Sequence, residues 1–394
     1  METTPRVLRL VHTADVHLGA RHTDLGDQAA AQRERQFAAF HATVELALAE
    51  KVDLFLVAGD LFDSNTQPRR SVDRVATELR RLADARIRSV IIPGTHDVYD
   101  RASIYRAHDL ATLAGVAATD ELITVLTPEV PELDLPILDT VVYGRVFATK
   151  RAPVSPLAGF HAATGGRTWR IGMIHGSLLI AGRTEHDEVV FTAEEIAASG
   201  LDYLALGHWH SELDGRAGTV TYAYPGAPEP VALDQDRAGK ALLVSMDVTA
   251  AGTHSVTIEQ RQVGRTRFDK VELDAATIGG QAALIERLLA RADPDLVLDV
   301  RVTGLKPDEL DLNIDEIEGA LAPRFLKVRV RDRSMAELSG TAIPPADTIL
   351  GAFIRDAEAR VAFAEAEGRP DAVAEARDVL RLGRILLAGQ EVTL

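Results

Sequence analysis

Seven residues whose side chains suit divalent cations recur at the ends of apolar runs: Asp15, His17, Asp60, His96, His175, His208 and His210. They lie in the segments LRLVHTADVHLG, DLFLVAGDLFD, SVIIPGTHD, IGMIHG and YLALGHWH, each opening with a β-rich stretch that runs out into a glycine-containing turn. Five strand ends meeting at one sheet edge would hold two divalent cations, with Asp60 as the bridge because a carboxylate has two oxygens to share. In Asp15-Val16-His17, alternation along an extended strand would place both ligands on one side, and His208-Trp209-His210 repeats the device. Mixed imidazole and carboxylate donors suit manganese, iron or zinc better than calcium, and manganese is the expected ion. Two such cations about 3.5–4 Å apart are the usual arrangement for phosphoryl transfer.

To present these residues the chain must alternate strands and helices, and residues 1–230 do so, with amphipathic stretches at Gln32–Glu50 and Arg69–Ala85. Strands are expected at Lys240–Val248, His254–Val263 and Arg267–Leu273, closing the sheet system in antiparallel pairs. The expected organisation is a layered α/β domain over 1–271, a small α+β unit over 272–340 and a helical segment over 341–394. In the last of these, Ile349, Leu350, Phe353, Ile354, Ala357 and Val361 mark one apolar face. Val373, Ala376, Leu380, Leu386 and Leu387 mark a second face, after the turn at Gly368-Arg369-Pro370.

Composition narrows the function. The chain has 394 residues, no cysteine and a net charge of −16, which excludes disulfides, zinc–thiolate sites and broad electrostatic adhesion to nucleic acid. No apolar run is long enough to span a bilayer and nothing near the N-terminus resembles a signal peptide, so no membrane is expected and a cytoplasmic location is the default. Tyr99, Arg101, Tyr105 and Arg106 follow His96 closely and offer aromatic and cationic groups for stacking on bases and gripping phosphates, against a reading as ordinary helix packing. Asp97 is expected to hold the His96 ring in its useful tautomer, against a reading as a cap of the following helix, and Asp63 is either a helix cap or a support for a ligand. His12 reads as a core or near-site support and not a ligand, and His22, His41, His108, His161, His186 and His254 as surface or loop residues.

The ordered motifs D-x-H-L-G, G-D-L-F-D, G-x-H-D, H-G and G-H-x-H resemble the calcineurin-like metallophosphoesterase superfamily, and more narrowly its SbcD-type DNA repair exonucleases, including the YhaO-type branch. The resemblance implies a layered α-β-β-α metallophosphoesterase domain, a capping domain and a C-terminal partner-binding segment. It places Asp15, His17, Asp60 and His210 on one metal, and Asp60, His175 and His208 with position 95 on the other, and it turns His96 toward the phosphate as the acid that protonates the leaving oxygen. One departure is Thr95, where the family has asparagine; a hydroxyl is a weaker ligand on a shorter side chain. The resemblance further implies a manganese-dependent DNA exonuclease, with endonuclease action near ends beside an SbcC-like SMC-type ATPase docked on the C-terminal helices. No G-x-x-x-x-G-K-[ST] loop is present, so ATP dependence would come from that partner. A second copy of the chain is a further expected partner. Two other readings stay open: an esterase for small phosphate esters or cyclic nucleotides, and a non-catalytic binding homologue marked by Thr95.

Overall fold

Aliphatic runs form strands here because both faces of each find an apolar layer. The computed structural model describes residues 7–23, 28–232, 235, 237–249, 252–307, 310–336 and 344–387. The chain opens with β1 (Leu8–Thr13), α1 (Ala29–Glu50), β2 (Leu54–Ala58), α2 (Arg69–Asp84) and β3 (Arg88–Ile92). Next come α3 (Ile104–Ala107), α4 (Leu110–Leu113), β4 (Ile123–Val125), β5 (Glu132–Leu135), β6 (Thr140–Gly144) and β7 (Trp169–His175). They are followed by β8 (Ser177–Leu178), β9 (Val190–Phe191), α5 (Ala193–Ala198), β10 (Tyr203–Gly207), β11 (Leu213–Ala217) and β12 (Val220–Tyr224). The hairpin of β13 (Lys240–Val248) and β14 (His254–Gln262) completes the first of two compact units, Met1–Arg267.

The strands that end in the candidate ligands belong to two sheets, not to the single edge expected from sequence. One sheet runs β14-β13-β1-β2-β3-β4 and the other β11-β12-β10-β7-β6-β5. In the first, β1 to β4 are parallel and β13 pairs antiparallel with β1; in the second, β6, β7, β10 and β12 are parallel. The sheets bury facing side chains, with Leu10, Leu56 and Val90 of one meeting Val142, Ile171, Met173 and Ala205 of the other. Behind the first sheet, Val11, Phe55, Val57 and Ile91 pack on Phe40, Val44, Val75 and Leu79 of α1 and α2. Behind the second, Ile174, Leu204 and Leu206 pack with Ile196 of α5. The result is the layered α-β-β-α order, in which each fully buried aliphatic side chain contributes roughly 1.5–3 kcal/mol. His12 ties the sheets together from 0 % exposure, its ring nitrogens meeting the Tyr203 hydroxyl at 2.8 Å and the Leu206 carbonyl at 3.2 Å. His22 is buried too, contrary to the sequence reading.

The second compact unit is Phe268–Leu394. It contains β15 (Arg267–Asp274), α6 (Gln281–Leu289), β16 (Asp293–Thr303), β17 (Leu305–Lys306), α7 (Ile314–Leu321), β18 (Phe325–Asp332) and β19 (Met335–Ala336). Here β15, β16 and β18 make a three-stranded sheet over a core of Leu284, Leu288, Leu298, Val300, Ile317 and Phe325. So β15 does not join the antiparallel end of the first sheet system, as its place after β14 had implied. A period of two identifies a strand without naming its neighbour. The chain then turns helical, in α8 (Ile349–Ala366) and α9 (Pro370–Leu387), an antiparallel pair packed so tightly that a Cβ on Gly383 would lie 2.0 Å from the Phe353 ring. Ion pairs Arg384–Glu358 (2.8 Å) and Arg377–Glu365 (2.7 Å) cross between them. Among the described residues no helix is long and apolar enough to cross a membrane.

Candidate metal centre

Of the candidate ligand residues, His175 ends β7, while Asp15, His17, Asp60 and His208 sit just past their strands on turns with left-handed backbone. Asp15 (φ 53°), His17 (φ 48°), Asp60 (φ 51°) and His208 (φ 102°) all have positive φ, which is uncommon for residues with a Cβ and concentrates at functional sites. Asp15 and His17 therefore do not share a face by strand alternation, and neither do His208 and His210, since β1 ends at Thr13 and β10 at Gly207. Instead the turns are laced together: the Asp15 amide donates to the Gly59 carbonyl (3.1 Å) and the His17 amide to that of Asp60 (3.0 Å). Glycine permits the crowding, because a Cβ on Gly94 would lie 2.2 Å from Asp60 Oδ1 and one on Gly207 would lie 2.1 Å from the Ala58 carbonyl.

Three overlapping trios of donor atoms result, each within 4.8 Å: Asp15, His17 and His210; His17, Asp60 and His96; and Asp15, Asp60 and His175. Asp60 is central. Its Oδ1 accepts the His96 amide (2.7 Å), while its Oδ2 lies 3.0 Å from His175 Nε2, 3.7 Å from His17 Nε2 and 3.5 Å from the Thr95 hydroxyl. The far nitrogens of both rings are pinned, His17 Nδ1 by Asp63 Oδ1 at 3.2 Å and His175 Nδ1 by the Ala58 carbonyl at 2.9 Å. That leaves His17 Nε2 buried and beyond hydrogen-bond distance of any partner among the described residues, the condition of a nitrogen suited to a cation, while His175 Nε2 faces the Asp60 carboxylate that would share one. Asp63, undecided from sequence, is thus the carboxylate that orients His17.

His208 stands slightly apart from the trios. Its amide donates to both oxygens of Asp15 (3.0 Å each), its ring packs edge-on to His175 at 5.3 Å, and its Nε2 is 4.0 Å from Asp187 Oδ2. His210 Nε2 lies 3.9 Å from Asp15 Oδ1, and its Nδ1 meets the Gln235 amide at 2.5 Å. Neither Asp187 nor Gln235 was legible in the sequence, since nothing in their surroundings marks a contact tens of residues away.

Electrostatics divide the site. Burial holds His208 down to about 4, with His175 adding to it, and burial holds His210 down to about 3, so both rings stay neutral with lone pairs available. His175 behaves oppositely: against the cost of burial, the Asp60 charge pushes it up to about 10. Burial raises Asp15 to about 6, whereas Asp60, despite burial, is kept well below the carboxylate range by His175 and His17. Buried carboxylates and neutral imidazoles at these separations fit divalent cations of the manganese, iron or zinc kind.

His96 is half exposed at 44 % and lies edge-on to His17 at 4.6 Å. Its Nδ1 meets the Asp63 carbonyl at 3.1 Å, which leaves Nε2 as the free nitrogen. The orienting task expected of Asp97 thus falls to Asp63. Asp97 is instead a buried clamp that accepts the Gly94 amide (2.7 Å), the Phe62 amide (3.1 Å) and the Tyr105 hydroxyl (2.6 Å). That bond takes Tyr105 out of reach of a base: it is only 9 % exposed and packs near Phe62. The Arg106 guanidinium lies 3.9 Å from the Tyr99 ring centroid and pairs with Glu129 at 2.9 Å, so of the four residues expected to contact nucleic acid only Arg101 is simply exposed.

The sequence is similar to a known family and to curated proteins. Residues 8–212, just over half of the chain, match the calcineurin-like phosphoesterase family. Among curated proteins, the chain is 28 % identical over 308 residues to the DNA double-strand break repair protein Mre11 of Aeropyrum pernix, covering 72 % of this chain and 68 % of that one. It is 30 % identical over 271 residues to the SbcD component of the SbcCD nuclease of Rhodobacter capsulatus, covering 58 % of this chain and 64 % of that one. A metallophosphoesterase of Bacillus subtilis, YhaO, is 27 % identical over 56 % of this chain and 52 % of its own length. With residues 8–212 matching over more than half of its length, this chain belongs to the calcineurin-like phosphoesterase family.

Proposed function

We propose that the chain is a metal-dependent phosphodiesterase acting on DNA in repair, an exonuclease with endonuclease action near ends, working beside an SbcC-like ATPase in the cytoplasm. The observation that carries the chemistry is the meeting of donor trios on the one carboxylate of Asp60 beneath a half-exposed His96. Asp15, His17, Asp60 and His210 would hold one divalent ion, with Asp60, His175, His208 and Thr95 around a second, Mn2+ being the expected species. When bound, these ions supply Lewis acidity toward a phosphoryl oxygen and an activated water for in-line attack. His96, with Nδ1 turned to the Asp63 carbonyl, carries at Nε2 the proton that the leaving oxygen needs. Support for DNA as substrate comes from relatives named for double-strand break repair and for the SbcCD nuclease.

Thr95 should be the weak point of the second ion, because its hydroxyl already leans on Asp60 Oδ2 at 3.5 Å. Thr95→Asn, with a longer carbonyl, is expected to lower the Mn2+ concentration for half-maximal cleavage about tenfold, the scale of one supporting contact at a metal site. Calorimetric titration with Mn2+ checks it, and two equally tight ions in the natural chain with no gain from asparagine would count against it.

The helices α8 and α9 leave Ile349 79 % and Phe363 60 % exposed, an apolar surface suited to the ATPase. Deleting residues 347–394 is expected to abolish capture of an SbcC-like protein in a pull-down while Mn2+ binding persists. Normal capture by the shortened chain would exclude these helices as the docking segment. A second copy of the chain belongs to the same proposal. The whole reading is tested with purified protein, Mn2+ and end-labelled single- and double-stranded DNA, with and without the ATPase: Mn2+-dependent shortening is expected. Hydrolysis of small aryl phosphate esters with DNA left intact would overturn DNA as the substrate.

A further inference from the structure

Beside the metal centre lies a small cavity of about 20 Å³, walled on one side by Thr95 and His175 and on the other by Arg145, Thr149 and Lys150. Space of this size admits the non-bridging oxygens of a phosphate at its mouth but neither a sugar nor a base. Its two cations stand out against the chain's net charge of −16 because, among the described residues, neither is neutralised locally. Several other arginines find carboxylates, as in Arg74–Glu34 (3.0 Å), Arg80–Asp84 (2.7 Å) and Arg167–Asp134 (2.6 Å). Among the described residues no carboxylate pairs with Arg145 or Lys150.

Arg145 is nonetheless built into place. It follows β6 directly, its amide donates to the Met173 carbonyl at 3.0 Å, its Nε donates to the Pro156 carbonyl at 2.8 Å, and its guanidinium lies 4.9 Å from the Phe160 ring centroid. A half-buried guanidinium without an anion bears a desolvation cost that burial makes visible by lowering its pKa. An anion entering the cavity would offset that cost, and the fork geometry of arginine with a point-charged lysine beside it suits phosphate.

We infer that the cavity walled by Thr95, His175, Arg145 and Lys150 is a subsite for a second phosphate of the substrate, the neighbour along the strand of the one being cleaved. Since Thr95 and His175 border both the cavity and the metal centre, the phosphate held there would be the immediate neighbour of the one being cleaved. The subsite thus selects polynucleotides over isolated diesters, and it rests on the phosphodiesterase reading above.

The test compares hydrolysis of a thymidine dinucleotide with that of the same dinucleotide carrying an additional terminal phosphate, at either end, by the Mn2+-loaded full chain. The natural protein should favour one phosphorylated form about tenfold in kcat/KM, the scale of one charge-assisted contact. Lys150→Ala, at an exposed position, should erase most of that preference, Lys150→Arg should restore it, and Arg145→Lys should weaken it. Equal hydrolysis of all forms by the natural protein, or a preference that Lys150→Ala leaves intact, would overturn the subsite and spare the phosphodiesterase reading. Failure to cleave any of the dinucleotides, with Mn2+ bound, would overturn both.

Discussion

His96→Ala is expected to lower phosphodiester cleavage by about a hundredfold or more while the protein still takes up its metal. The magnitude is that of a general acid, whose removal typically costs 10²–10⁴-fold. Retention of metal follows from geometry: the ring is 44 % exposed and tethered to the Asp63 carbonyl, whereas His17 and His175 direct buried Nε2 atoms toward Asp60. His96 does fall within 4.8 Å of the donors of His17 and Asp60, so a ligand role predicts the opposite outcome. Elemental analysis beside a cleavage assay separates the two: loss of metal makes His96 a ligand, and an unchanged rate removes it from the chemistry.

A still larger effect is expected at Asp60. Its carboxylate belongs to two of the three donor trios, and its charge lifts His175. Asp60→Asn is the informative variant, because asparagine tolerates the left-handed backbone (φ 51°) that alanine would strain. Supporting residues around a metal are worth 10–100-fold, so loss of a shared ligand charge should weaken Mn2+ binding by about a hundredfold or more and remove cleavage with it. The thermal melt of the variant guards against misfolding. Near-normal Mn2+ affinity in a folded Asp60→Asn protein would mean that the two sites do not share this carboxylate.

The strands and their terminal ligands were legible because parallel strands buried on both faces read as continuous apolar runs that stop at glycine. Their division between two sheets was not, since β2 and β7 carry the same kind of pattern and pairing depends on residues far apart in sequence. The backbone at the ligands was missed for a related reason: alternation assumes extended chain, while Asp15, His17, Asp60 and His208 turn left-handed where the loops after β1, β2 and β10 meet. Tyr105 looked like a base-stacking residue because it follows His96 so closely, yet its hydroxyl satisfies Asp97, a carboxylate that would otherwise be buried with fewer donors. The roles of Asp63 and Gln235 likewise depend on contacts that only the folded chain makes.

The most direct test of a two-ion phosphodiesterase counts bound Mn2+ by native mass spectrometry through a titration while following hydrolysis of bis(p-nitrophenyl) phosphate. Two ions per chain are predicted, one bound more tightly than the other, with the rate rising as the second is filled. A chain that binds no Mn2+, or whose hydrolysis is the same with and without it, would contradict the account.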